Sequence, residues 1–140
     1  MSKRSRDVAG KSRDTESIMV VEPDVLMRMS ISQYLRECGY RVVEAITAEE
    51  ALKILGAGVT VHAVLAEVRL PGALDGFALA QRIRRRFGTV EVILTSGVAM
   101  AARRAGELCD QGPLRKPYHP DQLVRRLGVL FERRKRSKLT

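Results

Sequence analysis

The chain has 140 residues, of which 45% are hydrophobic, so we expect one globular domain with a substantial core. No apolar stretch approaches the roughly 20 residues of a membrane helix, and the polar amino-terminal region lacks a secretion signal. The sequence therefore predicts a cytoplasmic protein with no membrane partner. Much of the formal charge of +9 lies in residues 1–16 and 131–140, and charge alone indicates no function.

The two cysteines, Cys38 and Cys109, stand far apart and belong to no C-x-x-C or Cys–His pattern. Such spacing indicates neither a disulfide framework nor a zinc site. We expect both to be small, buried apolar side chains.

Residues 1–16 contain almost no large apolar side chains, which predicts a disordered basic extension. Short apolar strands then alternate with amphipathic helices. Thr47 and Glu50 form a capping box that opens the second helix, and Gly39 is a predicted C-cap of the first. The predicted strands are 17–21, 41–45, 61–66, 91–94 and, weakly, 113–115. The predicted helices are 25–38, 47–55, 77–86, 99–109 and 120–130.

The apolar residues within the predicted helices suggest which faces are buried. In the first helix the residues at helical spacing are Leu26, Met29, Ser30 and Leu35, and the third helix is marked by Phe77, Leu79, Ala80 and Ile83. Five strand–helix units with continuous apolar strands predict an α/β fold with a parallel sheet and helices on both faces. We place this domain at residues 17–130, followed by a basic tail at 131–140.

The third strand ends in a lone carboxylate, Glu67, and a turn containing Pro71 and Gly72 follows it. In open parallel α/β sheets, ligands bind at the carboxyl ends of the strands. Glu67 is therefore the leading candidate for a functional residue.

Five short segments together resemble the receiver domain of response regulators, the phosphoacceptor module of two-component signalling. The resemblance spans about residues 18–130. Each segment is weak evidence alone, but the five occur in order at suitable intervals. They are 20–22, 36–45, 69–76 (with Pro71-Gly72 and Asp75-Gly76), 95–97 and 116–118. The resemblance implies a flavodoxin-like (βα)5 fold with sheet order 2-1-3-4-5.

In this family an aspartate after the third strand accepts a phosphoryl group, and acids after the first strand hold magnesium. A hydroxyl after the fourth strand and a lysine after the fifth contact the phosphoryl group, and the hydroxyl loop is the switch. Carried over by position, the resemblance places Glu67 at the phosphoacceptor, Glu22 and Asp24 in the acidic pocket, and Lys116 at the lysine. Ser96 takes the hydroxyl position, with Thr95 as its off-by-one rival.

The chain departs from the family pattern at three positions. Glu67 carries its carboxylate one methylene further out than aspartate, about 1.5 Å, and a misplacement of about 1 Å can lower a rate about a hundredfold. Pro23 replaces an acidic metal ligand, so we expect magnesium binding to be weak or lost. Pro113 stands where many members carry a switch aromatic.

These departures predict an atypical or pseudo-receiver. Glu67 then either reaches Lys116 and mimics the phosphorylated state or leaves an inert scaffold. For Asp24 we favour an N-cap of the first helix over a pocket role.

The favoured function is a stand-alone receiver-like protein that acts by protein–protein interaction, with a histidine kinase or a downstream signalling protein as partner; a homodimer is compatible with this. The alternative is nucleic-acid or polyanion binding through the tail at 133–138, which the scarcity of aromatics (4%) disfavours. A flavodoxin-like enzyme is disfavoured because no Gly-rich loop follows the first strand and no nucleophile–base arrangement is evident. We therefore expect no enzymatic activity.

Overall fold

The computed structural model describes residues 16–109 of the chain. Its strands are β1 (Ser17–Val21), β2 (Arg41–Ala45), β3 (Ala63–Glu67) and β4 (Glu91–Thr95), and its helices are α1 (Val25–Glu37), α2 (Ala48–Gly56), α3 (Gly76–Arg86) and α4 (Val98–Leu108). The predicted basic extension, fifth strand, last helix and carboxyl-terminal tail lie outside the described residues, as do Pro113 and Lys116. The eight predicted elements within 16–109 are confirmed, with boundaries that agree to within two residues.

The sheet is parallel and has the order β2-β1-β3-β4. This matches the flavodoxin-like order expected from the resemblance, as far as the described strands extend. Helices α1, α2 and α3 each connect one described strand to the next, which is the usual way to join parallel strands, and α4 follows β4.

Two apolar layers cover the sheet, because successive strand residues point to opposite faces. On one face, Ile18 and Leu65 pack with α1 and α4. On the other, Met19 and Val64 pack with α2 and α3. Tyr34 of α1 lies fully in the first layer, and burial raises the pKa of its hydroxyl.

Helix faces were predicted only in part. In α1, Leu35 is fully buried, but Leu26 and Met29 are 45% and 54% exposed. In α3, Leu79, Ala80 and Ile83 are buried as assigned, whereas Phe77 is 59% exposed. The buried face of α1 consists instead of Met27, Ile31, Ser32, Tyr34 and Leu35. The assignment failed because α1 carries apolar residues on both faces, so periodicity alone could not choose between them.

The cysteine prediction was wrong in one respect. Cys38 and Cys109 are both buried, as expected, but they form a disulfide with a Cα–Cα distance of 5.7 Å. They are 71 residues apart in sequence. Cys38 is the C-cap of α1, and Gly39, the predicted C-cap, follows it with a φ of 101°. Cys109 is the C-cap of α4, so the packing of these two helices on one face joins cysteines that no sequence motif connects.

A hydrogen bond reinforces the same junction. The hydroxyl of Tyr40, at the start of β2, donates to the carbonyl of Leu108 at the end of α4. Small side chains on α4 (Ala101, Ala102 and Ala105) allow this helix to approach α1 closely. The α1–α4 contact is therefore held by apolar packing, a covalent bond and a polar bond.

Candidate functional site

The carboxyl edge of the sheet holds the predicted site residues that lie within the described range 16–109. Val21 pairs with Ala66 across β1 and β3, so the residues that follow them, Glu22 and Glu67, both lie at this edge. Glu67 also pairs with Thr95 of β4. Residues from three strands thus meet at one edge, as the parallel arrangement requires.

The carboxylate of Glu67 binds two loops at once. Its Oε1 accepts a hydrogen bond from the backbone N–H of Gly97 at 3.3 Å. Its Oε2 accepts a hydrogen bond from the backbone N–H of Arg69 at 3.2 Å. Gly97 precedes α4, and Arg69 follows β3. One side chain therefore fixes the β4–α4 loop against the β3–α3 loop through charge-assisted hydrogen bonds.

We expect the variant Glu67→Ala to loosen the β4–α4 loop. Losing an acceptor worth about 1.4 kcal/mol should increase hydrogen exchange at the Gly97 amide roughly tenfold. The change is measured by NMR-detected exchange, with Glu91→Ala as control, because Glu91 lies at the opposite end of β4. Equal exchange at Gly97 in Glu67→Ala and wild type would show that Glu67 does not hold this loop.

The two acids after β1, Glu22 and Asp24, accept hydrogen bonds from backbone N–H groups of the β1–α1 turn and of α1. Glu22 is only 8% exposed, and its Oε2 accepts a hydrogen bond from the backbone N–H of Asp24 at 2.8 Å. Asp24 Oδ1 in turn accepts from the N–H of Met27 at 3.0 Å, which confirms the predicted N-cap of α1. Arg28, also on α1, donates to the Glu22 carbonyl at 2.9 Å. These contacts order the β1–α1 turn.

The two candidate hydroxyls differ in environment. Thr95 is 2% exposed, and its Oγ1 donates to the carbonyl of Ala66 at 3.4 Å. Ser96 is exposed beyond the end of the strand. Of the two hydroxyls, that of Ser96 is therefore accessible to a ligand at the edge, while that of Thr95 is engaged with the sheet.

The loop after Glu67 contains a contact that sequence reasoning missed. Glu49 of α2 accepts hydrogen bonds at its Oε2 from the N–H groups of Ala73 and Leu74, at 3.0 and 3.2 Å. Gly72 precedes them with a φ of 96°, a conformation that favours glycine. The Pro71-Gly72 turn was the available sequence signal of this contact, because the consecutive backbone N–H groups that such a turn exposes need a hydrogen-bond acceptor.

Gly76 fixes the other end of this loop. Its N–H donates to the Val68 carbonyl at 2.8 Å. A Cβ at this position would lie 2.6 Å from the carbonyl oxygen of Glu67 and 2.8 Å from the Cα of Val68. Glycine is required here because α3 begins against the backbone of the residue that carries the candidate carboxylate.

Comparison of the chain with known proteins gives matches to one family. A family model described as the response regulator receiver domain matches residues 18–128. The sensor histidine kinase RcsC of Salmonella typhi is 30% identical over 134 residues, which cover 94% of this chain and 14% of that protein. The transcriptional regulatory protein AruR of Pseudomonas aeruginosa is 33% identical over 121 residues, covering 83% of this chain and 49% of that protein. The chain thus spans less than half the length of either curated relative.

Solved structures agree with the sequence comparisons. The non-phosphorylated receiver domain of HemR from Leptospira biflexa matches with a TM-score of 0.55 and 27% identity, covering 82% of this chain and 93% of that one. The chemotaxis response regulator CheY4 of Vibrio cholerae matches with a TM-score of 0.55 at 21% identity, covering 81% of this chain and 97% of that one.

Within residues 16–109 no helix is long and apolar enough to cross a membrane.

Proposed function

Because the chain belongs to the response regulator receiver domain family, we propose that it is an atypical receiver that acts in two-component signalling by binding partner proteins. Glu67 takes the place of the phosphoacceptor aspartate, and the module is not phosphorylated by the usual route. A histidine kinase or a downstream signalling protein is the partner we expect. The cytoplasm is the expected compartment.

The bridging carboxylate of Glu67 is the observation that carries this proposal. Its oxygens accept from Gly97 and Arg69, so the residue is engaged as an acceptor by both neighbouring loops. In the family, the loop after the fourth strand moves when a phosphoryl group arrives. A carboxylate that already binds this loop supports a fixed conformation that needs no phosphoryl group.

Contacts within the protein disfavour a magnesium site of the usual form, because the carboxylates of Glu22 and Glu67 already accept hydrogen bonds from backbone N–H groups. Pro23 offers no side-chain oxygen, and Asp24 caps α1 through one of its own. Magnesium prefers near-octahedral oxygen ligation, usually with one or two carboxylates. Among residues 16–109 no group of three potential metal-binding side chains is present. We propose that magnesium binds weakly or not at all, and no step of the proposed function depends on it.

A phosphorylation assay tests the proposal. The protein is incubated with magnesium and acetyl phosphate, and its intact mass is measured before the mixture is quenched and digested. We expect no stoichiometric gain of a phosphoryl group. A gain in wild type that is absent from Glu67→Gln would locate the modification at Glu67 and contradict the proposal.

A gain-of-function variant shows whether the assay can detect phosphorylation on this scaffold. The double variant Pro23→Asp, Glu67→Asp reverses the departures at the metal and phosphoacceptor positions, supplying a metal ligand and shortening the nucleophile. We expect it to gain one phosphoryl group in the presence of magnesium and none with EDTA. A folded double variant that stays unmodified would show that these two positions are not what separates the chain from phosphorylated receivers.

A further inference from the structure

The opposite, amino-terminal edge of the sheet carries a groove that the proposed function does not use. It has a volume of about 520 Å³ and lies between the loop after α2 and the loop from α3 to β4. Its walls include apolar side chains of Leu55, Val59, Phe87 and Val90, with Arg86 at one side. Val59 is 43% exposed, so apolar surface is open to solvent here.

A cluster of arginines adjoins this groove on α3. Arg82, Arg84, Arg85 and Arg86 are all exposed, and α3 contains no acidic residue. None of the four forms a salt bridge with another residue of the described range 16–109. Arg82, Arg85 and Arg86 are three and four positions apart, so they share one face of the helix. The carboxyl end of the α3 dipole is negative, but it amounts to only about half a charge. It therefore does not neutralise the four guanidinium groups.

Arg86 is held at the groove by an aromatic contact. Its guanidinium carbon lies 5.3 Å from the centroid of the Phe87 ring, and both residues line the groove. A cation–π contact of this kind is attractive and favours arginine rotamers that lie over the ring. The groove therefore combines an apolar floor with a partly oriented cation.

The remaining segments of the chain have the wrong charge to occupy this groove. Residues 1–15 contain five basic and two acidic residues, and residues 110–140 contain nine basic and three acidic residues. Both would be repelled by the arginines. The residues in 16–109 are balanced at eleven basic and eleven acidic, so the four arginines of α3 form a local concentration of charge rather than part of a uniformly basic surface.

We propose that the groove and the arginine face of α3 bind an acidic segment of a partner protein with interspersed aliphatic side chains. Arginine pairs with carboxylates in a planar, bidentate geometry, and the floor accepts aliphatic groups. A nucleic acid fits less well, because Arg86 lies over the Phe87 ring and the rest of the floor is aliphatic, which leaves no flat surface for bases. The proposal deepens the proposed function by naming a surface for the protein partner, and it rests on that function.

Fluorescence anisotropy with the full chain tests the proposal. The probe is a short fluorescein-labelled peptide of glutamates with a leucine at every fourth position. We expect saturable binding, and Arg85→Gln, Arg86→Gln should weaken it about tenfold, since two lost charge pairs are worth about 1.4 kcal/mol. The matched control is Arg103→Gln, Arg104→Gln, which removes two adjacent exposed arginines from α4. An equal loss in both double variants would overturn the proposal, because it would indicate attraction to the net charge.

Two further experiments test the role of the apolar groove and distinguish a protein ligand from a nucleic acid. Val59→Ser should weaken the leucine-containing peptide but not an all-glutamate peptide, and equal effects on both would remove the apolar groove from the proposal. A labelled DNA duplex at the same ionic strength should bind without dependence on Arg85 and Arg86. Tighter binding of DNA, lost in the same double variant, would overturn the proposal in favour of a nucleic acid. A gain of phosphate at Glu67 would contradict the proposed function and leave these binding results unchanged.

Discussion

Removal of the Cys38–Cys109 disulfide should lower the free energy of unfolding by about 4 kcal/mol. The bond closes a loop across a sequence separation of 71 residues, and cross-links of this length restrict the unfolded chain by about that amount. In thermal unfolding this corresponds to a fall in Tm on the order of 10 °C. The comparison is between wild type purified without reductant and the double variant Cys38→Ala, Cys109→Ala.

Reductant provides the control for this prediction. Dithiothreitol should lower the Tm of wild type and leave the Tm of the alanine variant unchanged, because only the wild type has a bond to reduce. The remaining difference between reduced wild type and the variant measures the lost packing of the two sulfur atoms. Identical melting of wild type with and without dithiothreitol would show that the pair does not form in solution.

The second large effect is expected from Gly76→Ala. The added methyl group would meet backbone atoms of Glu67 and Val68 at 2.6 and 2.8 Å, and backbone cannot move aside as a flexible side chain can. We expect a loss of about 2 to 3 kcal/mol in the free energy of unfolding, as for other overpacked sites. Denaturation in urea measures this loss.

Gly56→Ala is the matched control for this prediction. Gly56 is the last residue of α2, and a Cβ there would have nothing within 4 Å. The same chemical change should therefore leave stability unchanged or raise it by up to about 1 kcal/mol, since alanine is the better helix former. If the two variants were equally stable, the close approach of α3 to β3 would have no energetic consequence.

The regular part of the fold was predictable because its causes are local. β1 and β2 begin and end at the predicted residues, since each is a short segment rich in β-branched or apolar residues that is bounded by polar or turn residues. Thr47 caps α2 as predicted, accepting from Glu50 at 3.0 Å. These features depend on a few neighbouring residues and can be recognised without knowledge of the tertiary structure.

The features that were missed depend on contacts between distant segments. The disulfide follows from the packing of α1 with α4, and Glu49 binds amides 24 and 25 residues away. The exposed position of Leu26 and Met29 depends on how α1 is rotated on the sheet. Glu67 was singled out from the sequence, but its partners Arg69 and Gly97 required the geometry of two loops. The assignment of Lys116 stays a prediction, because it lies outside residues 16–109.

The contact made by Glu49 links α2 to the loop that follows Glu67, although α2 contributes no residue to the predicted site. Its carboxylate holds the amides of Ala73 and Leu74, which belong to the chain between Glu67 and the start of α3. A binding partner that shifts the first turn of α2 would therefore also pull on this segment. The loop that follows Glu67 is thus hydrogen-bonded to α2 as well as to its own strand, and it cannot change conformation without breaking or carrying along the Glu49 contact.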